Sequence, residues 1–442
     1  MSRLLSLWPS ARALWALGAI ALLLACSPGL AVCVPLAIAA SVVLFVAFVA
    51  DLALLPSPRA VRVCRELPPH FSLRRSAELQ YVVENASRRA LRVGIVETPL
   101  RTLDLGEMEL VTFAPAHSRV TARFAVLPVA RGSDAFTRIY LWYESALGLV
   151  RRRSAIDAYA PFRVYPDLSA VERYGSLHVR NRLIEAGLRR MRLRGAGSEF
   201  ESVRDYESGD GFRSIDWKAT ARRGKLMVVQ REVERSQDVM LLIDCGRLMT
   251  ARAGMQRKLD YAVTAGLSVA SIASLASDRV GVVAFARRIL VARAPRSTAI
   301  SVRALADALS DVEPRFEESD YAQAFAYLRS HLHRRSLIVF LTDVIDPVAQ
   351  SAVLAELGTL AKRHVVLCVF MNDAAVNAAL ARAPRTAGES YGAGVALGLS
   401  LERAVAARSL QRAGVMVLDV PAENLSIAAV DEYLRVKSRG LL

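Results

Sequence analysis

From Ala13 to Ala50 the chain carries no charged residue, and no other feature limits so strongly what its N-terminus can become. One continuous helix of that length would be nearly twice as long as the ~30 Å hydrocarbon core of a bilayer. Ser27-Pro28-Gly29 interrupts the run with turn chemistry, so two shorter spans meeting at that turn fit better. The expectation is a transmembrane hairpin within residues 1–58, with spans at about 13–26 and 30–50, the first of them short. Arg3 and Arg12 precede the hairpin and Arg59, Arg62 and Arg65 follow it. The positive-inside bias therefore predicts two spans with both termini in the cytoplasm. Leu23-Leu24-Ala25-Cys26 offers a rival, a lipoprotein-type cleavage site. The long apolar stretch after Cys26 argues against it, because a cleaved and exported protein would not need one.

The rest of the 442 residues suffices for two or three domains with cores of their own. A formal net charge of +16 raises the question of a polyanionic partner. The basic residues are scattered rather than gathered into a tail, and no nucleic-acid-binding module has its signature here. Nucleic acid is therefore disfavoured as a partner, and an anionic membrane surface is the better use for the charge. The five cysteines, Cys26, Cys33, Cys64, Cys245 and Cys368, show neither metal-ligand nor disulfide-framework spacing, which fits a reducing compartment. His331 and His333 read as a solvated pair.

Between residues 59 and 167 short runs alternate apolar and polar side chains, clearest at 79–83, 93–96, 120–126 and 139–143. Regular spacing without long helical periodicity predicts an immunoglobulin-like β-sandwich. Residues 168–236 read as a linker helix followed by a charged loop. The helix is arginine-rich and amphipathic, so it could also lie against lipid headgroups. From 237 to 442 continuous apolar strands alternate with helices: strands at 239–244, 279–285, 337–341, 365–370 and 415–420, helices at 256–276, 300–312, 321–333, 348–363 and 401–412. That pattern predicts an α/β doubly wound parallel sheet covered on both faces.

Residues Arg194 to Lys225 are uniquely dense in charge, glycine and aromatics. The glycines predict a shaped loop rather than a helix or strand. Glu199, Glu201, Asp205, Glu207, Asp210 and Asp216 alternate with Arg204, Arg213, Lys218, Arg222 and Arg223. Such mixed signs suit a paired network better than a phosphate cradle. The stretch resembles the signature of the bacterial family called Domain of Unknown Function 58. Gly195, Gly197, Glu199 and Phe200 match its first part, Arg204, Tyr206, Gly209 and Asp210 its second, and Arg213, Ile215, Trp217, Thr220, Ala221 and Arg222 its third. Further similarity lies at Arg131-Gly132, at 145–149 and at 164–166. The resemblance implies a membrane-anchored protein of the bacterial inner membrane with a β-rich region and a von Willebrand factor A-like domain. It also implies association with a MoxR-type AAA+ ATPase.

In a doubly wound sheet, ligands bind beyond the carboxyl ends of the strands at the topological switch point. Asp244 ends the first strand and Asp343 follows the strand 337–342. In von Willebrand factor A domains this place carries a metal site of the form Asp-x-Ser-x-Ser, with a threonine and an aspartate from two further loops. Asp244 and Asp343 match that pattern, and Ser319 with Asp320 suits the second loop, but Gly246 and Leu248 replace both serines. Magnesium wants near-octahedral oxygen ligation, so the loss of two hydroxyls predicts no bound metal and no cofactor. Arg247 in the same loop is expected to supply positive charge in its place.

Catalysis by Glu199, Asp210 and Asp216 would need a nucleophile with its base, and the loop has neither a candidate pair nor a histidine. Structural pairing of those carboxylates with Arg204, Arg213 and Arg222, anchored by Trp217 and Phe200, is the preferred reading. The sequence has no Walker motif. The expected function is a non-enzymatic scaffold that presents its C-terminal domain to a MoxR-type ATPase or its client. The alternatives are a membrane-bound hydrolase using the acidic loop, or a binder of anionic lipid or nucleic acid. Oligomeric state and client are not encoded in any motif.

Overall fold

The chain divides into two compact units at Asp167. The computed structural model describes residues 7–26, 32–106, 109–144, 147–167, 199–207, 212, 215–232, 236–296, 299–343, 347–372 and 374–441. The linker helix expected between Leu168 and Arg194 lies outside these residues.

The first unit opens with β1 (Leu7–Pro9), α1 (Ala11–Ala25) and α2 (Cys33–Ala53). Nine strands follow: β2 (Val61–Glu66), β3 (Phe71–Ser72), β4 (Ala77–Asn85), β5 (Leu91–Glu97), β6 (Leu103–Asp104), β7 (Glu109–Ala114), β8 (Ser118–Pro128), β9 (Gly132–Glu144) and β10 (Val150–Tyr165). They form two sheets, β1-β10-β9-β5-β7 with β3 beside β10, and β2-β4-β8-β6. Period-two alternation makes this arrangement: along β8, Ala122, Phe124 and Val126 are buried while Arg119, Thr121 and Arg123 face out. Val63, Leu79, Tyr81 and Phe124 from one sheet share a core with Val93, Ile95, Phe136 and Leu141 from the other. One buried charge cluster crosses that core. Glu97 accepts from the Tyr81 hydroxyl at 2.7 Å and from Arg65 at 2.7 Å, and the Arg65 guanidinium lies 4.3 Å from the centre of the Phe136 ring. Both contacts converge on Oε1, while Oε2 is buried without a hydrogen-bond partner, and burial raises the Glu97 carboxyl against the pull of Tyr81 and Arg65.

Of the two N-terminal helices, α2 is long and apolar enough to cross a membrane; its 21 residues span about 31 Å. The 15 residues of α1 reach only about 22 Å, less than the ~30 Å hydrocarbon core, so its length does not support the expected second span. Both helices are stitched to one loop of the sandwich. Ser10, the N-cap of α1, donates its hydroxyl to the Gly148 carbonyl, and its backbone N–H donates to Leu149. Asp51, near the end of α2, is fully buried and accepts from the backbone N–H groups of Leu147, Leu149 and Val150 at 2.8 to 3.0 Å.

The first described elements of the second unit are an antiparallel pair, β11 (Glu199–Asp205) and β12 (Met227–Glu232), with a short helix, α3 (Trp217–Arg223), between them in the chain. This corrects the expectation of a loop without helix or strand. The Asp216 carboxylate caps α3 by accepting from Lys218 N and Ala219 N at 3.0 Å, and Gly224, left-handed at φ 68°, closes it. These are ordinary start and stop signals that the density of glycine obscured.

The remaining elements are β13 (Asp238–Asp244), the hairpin β14 (Arg252–Ala253) and β15 (Gln256–Arg257), α4 (Lys258–Leu275), β16 (Arg279–Phe285), β17 (Ile289–Arg296), α5 (Ala299–Ser310), α6 (Tyr321–His331) and β18 (Ser336–Thr342). Then come α7 (Pro347–Ala361), β19 (Val365–Asn372), α8 (Ala374–Ala381), α9 (Ala387–Arg412), β20 (Met416–Pro421) and α10 (Leu425–Ser438). The sheet order is β17-β16-β13-β18-β19-β20. All neighbours are parallel except the edge pair β16 and β17. Numbered by their order in the chain, the parallel strands run 2-1-3-4-5. The direction of winding therefore reverses between β13 and β18, which makes the gap beyond their carboxyl ends the switch point. Every residue of β18 is buried, as a strand covered on both faces requires.

Candidate functional site

Asp244, the last residue of β13, and Asp343, directly after β18, meet at the rim of that switch point, and both are buried. Their surroundings differ completely. Asp244 is held by neutral donors: Ser319 Oγ at 2.5 Å, Thr342 Oγ1 at 2.7 Å, Gly246 N at 2.9 Å and the Tyr321 hydroxyl at 3.0 Å. Burial pushes its carboxyl above the usual range, and the four hydrogen bonds oppose the shift without cancelling it. The native state therefore holds this proton more tightly than the unfolded chain does. Its contribution to stability is complete below the unfolded pKa and is lost as pH rises through the folded one.

Asp343, fully buried, sits between two cations. Lys258, the first residue of α4, is paired with one carboxylate oxygen, and Arg403 of α9 donates to the other at 2.5 Å. The Arg403 guanidinium also donates to the Met371 carbonyl at 2.6 Å and lies 3.4 Å from Asp419 on β20. Burial raises the Asp419 carboxyl; Arg403 opposes the rise and Asp343 adds to it. The positive charge of the crevice thus comes from Lys258 and Arg403. Arg247, expected in that role, points outward to an exposed ion pair with Glu318 at 2.8 Å, where a salt bridge contributes little.

The substitution at Gly246 has a steric cause. A Cβ built there would lie 2.0 Å from Ser319 Oγ, so the hydroxyl that caps Asp244 already fills the space of a side chain at 246. Leu248 is half-buried in the short helical turn Arg247–Thr250. Asp320 serves the fold, capping α6 by accepting from Gln323 N at 3.0 Å. The loop before α6 is sewn to the crevice loop by Arg247 N to the Glu317 carbonyl and by Arg315 N to the Cys245 carbonyl, at 2.9 and 2.7 Å. At the head of this loop Phe316 is 87% exposed.

A divalent cation would have to displace an ammonium and a guanidinium from Asp343 and neutral donors from Asp244. Among the described residues no group of three His, Cys, Asp or Glu side chains is placed to hold a metal. Magnesium titrated into the purified full chain should therefore leave its melting temperature unchanged. A saturable rise would show that the crevice admits the ion.

The structure distributes the other expected site residues less tightly. The Asp216 carboxylate caps α3. Lys225 pairs with Asp205 at 2.6 Å on the surface. The Thr220 hydroxyl accepts from Met227 N at 3.0 Å, which fastens α3 to β12. Tyr206 N donates to the Leu226 carbonyl at 3.0 Å, and Arg222 stands in the last turn of α3. Trp217, expected as a core anchor, is 64% exposed at the start of α3. Glu199, Phe200 and Arg204 contribute backbone to β11. Arg194, Gly197, Gly209, Asp210 and Arg213 lie outside the described residues. Three residues of the crevice had no sequence signal: Tyr321, Lys258 and Arg403, which reach it from three different helices.

Residues 202–381 match the family described as protein of unknown function DUF58. An uncharacterized protein of Mycobacterium tuberculosis is 28% identical over 184 residues, 40% of this chain and 56% of its own length. The uncharacterized protein YeaD of Bacillus subtilis is 31% identical over 127 residues, 28% of this chain and 31% of its own. The chain thus spans about half the length, or less, of the curated relatives it matches. Among solved structures, proximal thread matrix protein 1 from the mussel byssus aligns over 45% of this chain and 47% of its own with a TM-score of 0.29 and 12% identity, too distant to carry an argument.

Proposed function

We propose that this protein is a non-enzymatic scaffold of the bacterial inner membrane that offers the mouth of a von Willebrand factor A-like domain to a protein partner, a MoxR-type AAA+ ATPase or its client. The observation that carries this reading is the contrast at the switch point. Inside, both carboxylates are fully committed to partners within the fold. Outside, an aromatic side chain stands unpacked on a loop tied to that interior. Large exposed aromatics on a rigid base are the usual anchors of protein interfaces. A committed carboxylate is a poor general base or metal ligand, which weighs against acid–base or metal chemistry in this crevice.

The anchor in this reading is the N-terminal hairpin, crossing twice with both chain ends cytoplasmic. Its support is that Ser10 and Asp51 bring the start of α1 and the end of α2 to the same sandwich loop, so both free ends of the hairpin leave on one side. Phe316→Ala tests the docking face. The variant should remain in the membrane fraction and keep its melting temperature, yet lose about tenfold or more of its affinity for the purified ATPase. Unchanged affinity, or turnover of a substrate by the isolated protein, would overturn the proposal.

A further inference from the structure

The outer face of the first unit's larger sheet holds a cavity of about 640 Å³, lined by Trp8, Tyr140, Trp142, Arg151, Arg153 and Glu109 among others. Its volume falls in the range of small-molecule sites. Its floor is built rather than incidental. Gly94 on β5 has no side chain, and a Cβ there would lie 2.0 Å from the Trp142 ring, so the indole lies directly on the strand. The indole N–H donates to Glu109 at 2.5 Å, which fixes the ring in its plane.

Two arginines are laid over these aromatics. The Arg151 guanidinium is 3.8 Å from the Trp142 ring centre and that of Arg153 is 4.8 Å from Trp8. Stacking leaves the guanidinium edges available for hydrogen bonding. Arg151 gives one N–H to Glu144 at 2.7 Å, while its Nε is buried and has no acceptor. Arg153 has no acidic partner among the described residues. Arg92, 5.9 Å from the Trp142 ring centre, adds a third guanidinium, shared with Glu144 at 3.8 Å. With Glu109 occupied by the indole and Glu144 shared between two arginines, the cavity offers donors to an anion.

The cavity also lies where the apolar helices join the sandwich. Trp8 precedes the α1 cap, Ser10, by two residues, and it pairs with Arg151 across the sheet. Trp142 lies two residues before Glu144, the end of β9, about 7 Å away along the strand, and the loop that follows is the one gripped by Asp51. On α1 and α2 the side chains of Trp15, Leu22, Val43, Phe45 and Val46 are exposed, as acyl-chain contacts would have them. Tryptophan and arginine at the end of a membrane helix are the residues of the headgroup layer.

We propose that this cavity binds the phosphate headgroup of an anionic phospholipid, with Arg151 and Arg153 as donors to the phosphate and the acyl chains running along α1 and α2. The inference rests on the membrane placement of α2 and is independent of the docking face at Phe316. The test uses the full chain purified in a neutral detergent, to which phosphatidylglycerol, phosphatidylcholine or inorganic phosphate is added. Phosphatidylglycerol should raise the melting temperature saturably by several degrees. Phosphatidylcholine and inorganic phosphate should do little at the same phosphate concentration. Arg153→Gln and Trp8→Ala should each lose at least half of the rise, whereas Arg62→Gln, on the other sheet, should keep it. An equal rise with phosphatidylcholine, an equal rise with inorganic phosphate, or an undiminished rise in Arg153→Gln would overturn the proposal. Carbonate-resistant retention of the same variants in the membrane fraction separates the two readings. Loss of retention in the wild type refutes the membrane anchor, while retention without lipid preference refutes the headgroup site alone.

Discussion

Replacing Asp343 by Ala should destabilise the C-terminal unit by about 3–5 kcal/mol, the cost of stripping a buried ion cluster of its shared anion. The side chains of Lys258 and Arg403 are only 6% and 15% exposed, so neither can recover full hydration where it stands. Asp419 compensates one of them incompletely: it lies 3.4 Å from Arg403, while Lys258 is paired with Asp343. Lys258→Met should cost less, because Arg403 still neutralises Asp343 and the long methionine fills the space. Combining the two substitutions should recover part of the Asp343→Ala loss, since no unpaired ammonium then remains; urea unfolding of the four proteins would measure the coupling. A loss below about 1 kcal/mol for Asp343→Ala would mean that the cations swing out to water and that the crevice is not a locked interior.

The same cluster makes a pH signature. Asp419 is held above its usual range by burial, and the neighbouring Asp343 adds to this. Its contribution to stability is therefore full below its unfolded pKa and lost as pH rises through the folded one. Without Asp343 the folded value falls toward the unfolded value, and this window narrows. The Asp343→Ala variant should thus lose less stability than the wild type as pH rises across that range, a difference that a pH series of melting curves reads directly.

Asp244 and Asp343 were legible in the sequence because a carboxylate ending an apolar run can only be a strand terminus in a two-sided sheet, and strand termini at the switch point define the crevice. Lys258 and Arg403 were not legible. They stand 85 and 60 residues from Asp343, and each looks locally like an ordinary helix cation. Arg247 was nearer in sequence, but the hydrogen bond from its N–H to the Glu317 carbonyl fixes the loop, and its side chain emerges beside Glu318. Sequence proximity gave the wrong cation because the crevice is assembled by helix packing.

Glycine misled in two places for one reason. In α9 the expected helix covered only 401–412, a stretch without glycine, yet the helix starts at Ala387 and runs through Gly388, Gly392, Gly394 and Gly398, initiated by a capping box between Thr386 and Glu389. In α3 the cap Asp216 and the stop Gly224 were both present and were read as parts of a loop. The edge strand β17 was also missed, because its exposed arginines and proline lack the continuous apolar run of its neighbours. Each miss lies where a local cap or an edge position, rather than hydrophobic period, decides the structure.

Asp51→Ala should loosen the junction between the long apolar helix and the sandwich, at a cost of about 3 kcal/mol or more. A carboxylate accepting from several donors is among the stronger hydrogen-bonding arrangements, and its removal strands the donors. Three backbone N–H groups lose their acceptor together, at Leu147, Leu149 and Val150. Val150 is itself buried, so water cannot easily replace the lost oxygen. Asp51→Asn should retain part of the loss-free geometry through its carbonyl oxygen, and should therefore fall between wild type and Ala. The damage should appear as faster proteolysis and amide exchange in the loop 147–150 and along β10, with α2 still retained in the membrane fraction. Uniform exchange throughout the sandwich, with no excess at that loop, would mean that the Asp51 contact is incidental and that β1 and the Ser10 bonds hold the helices to the sheet.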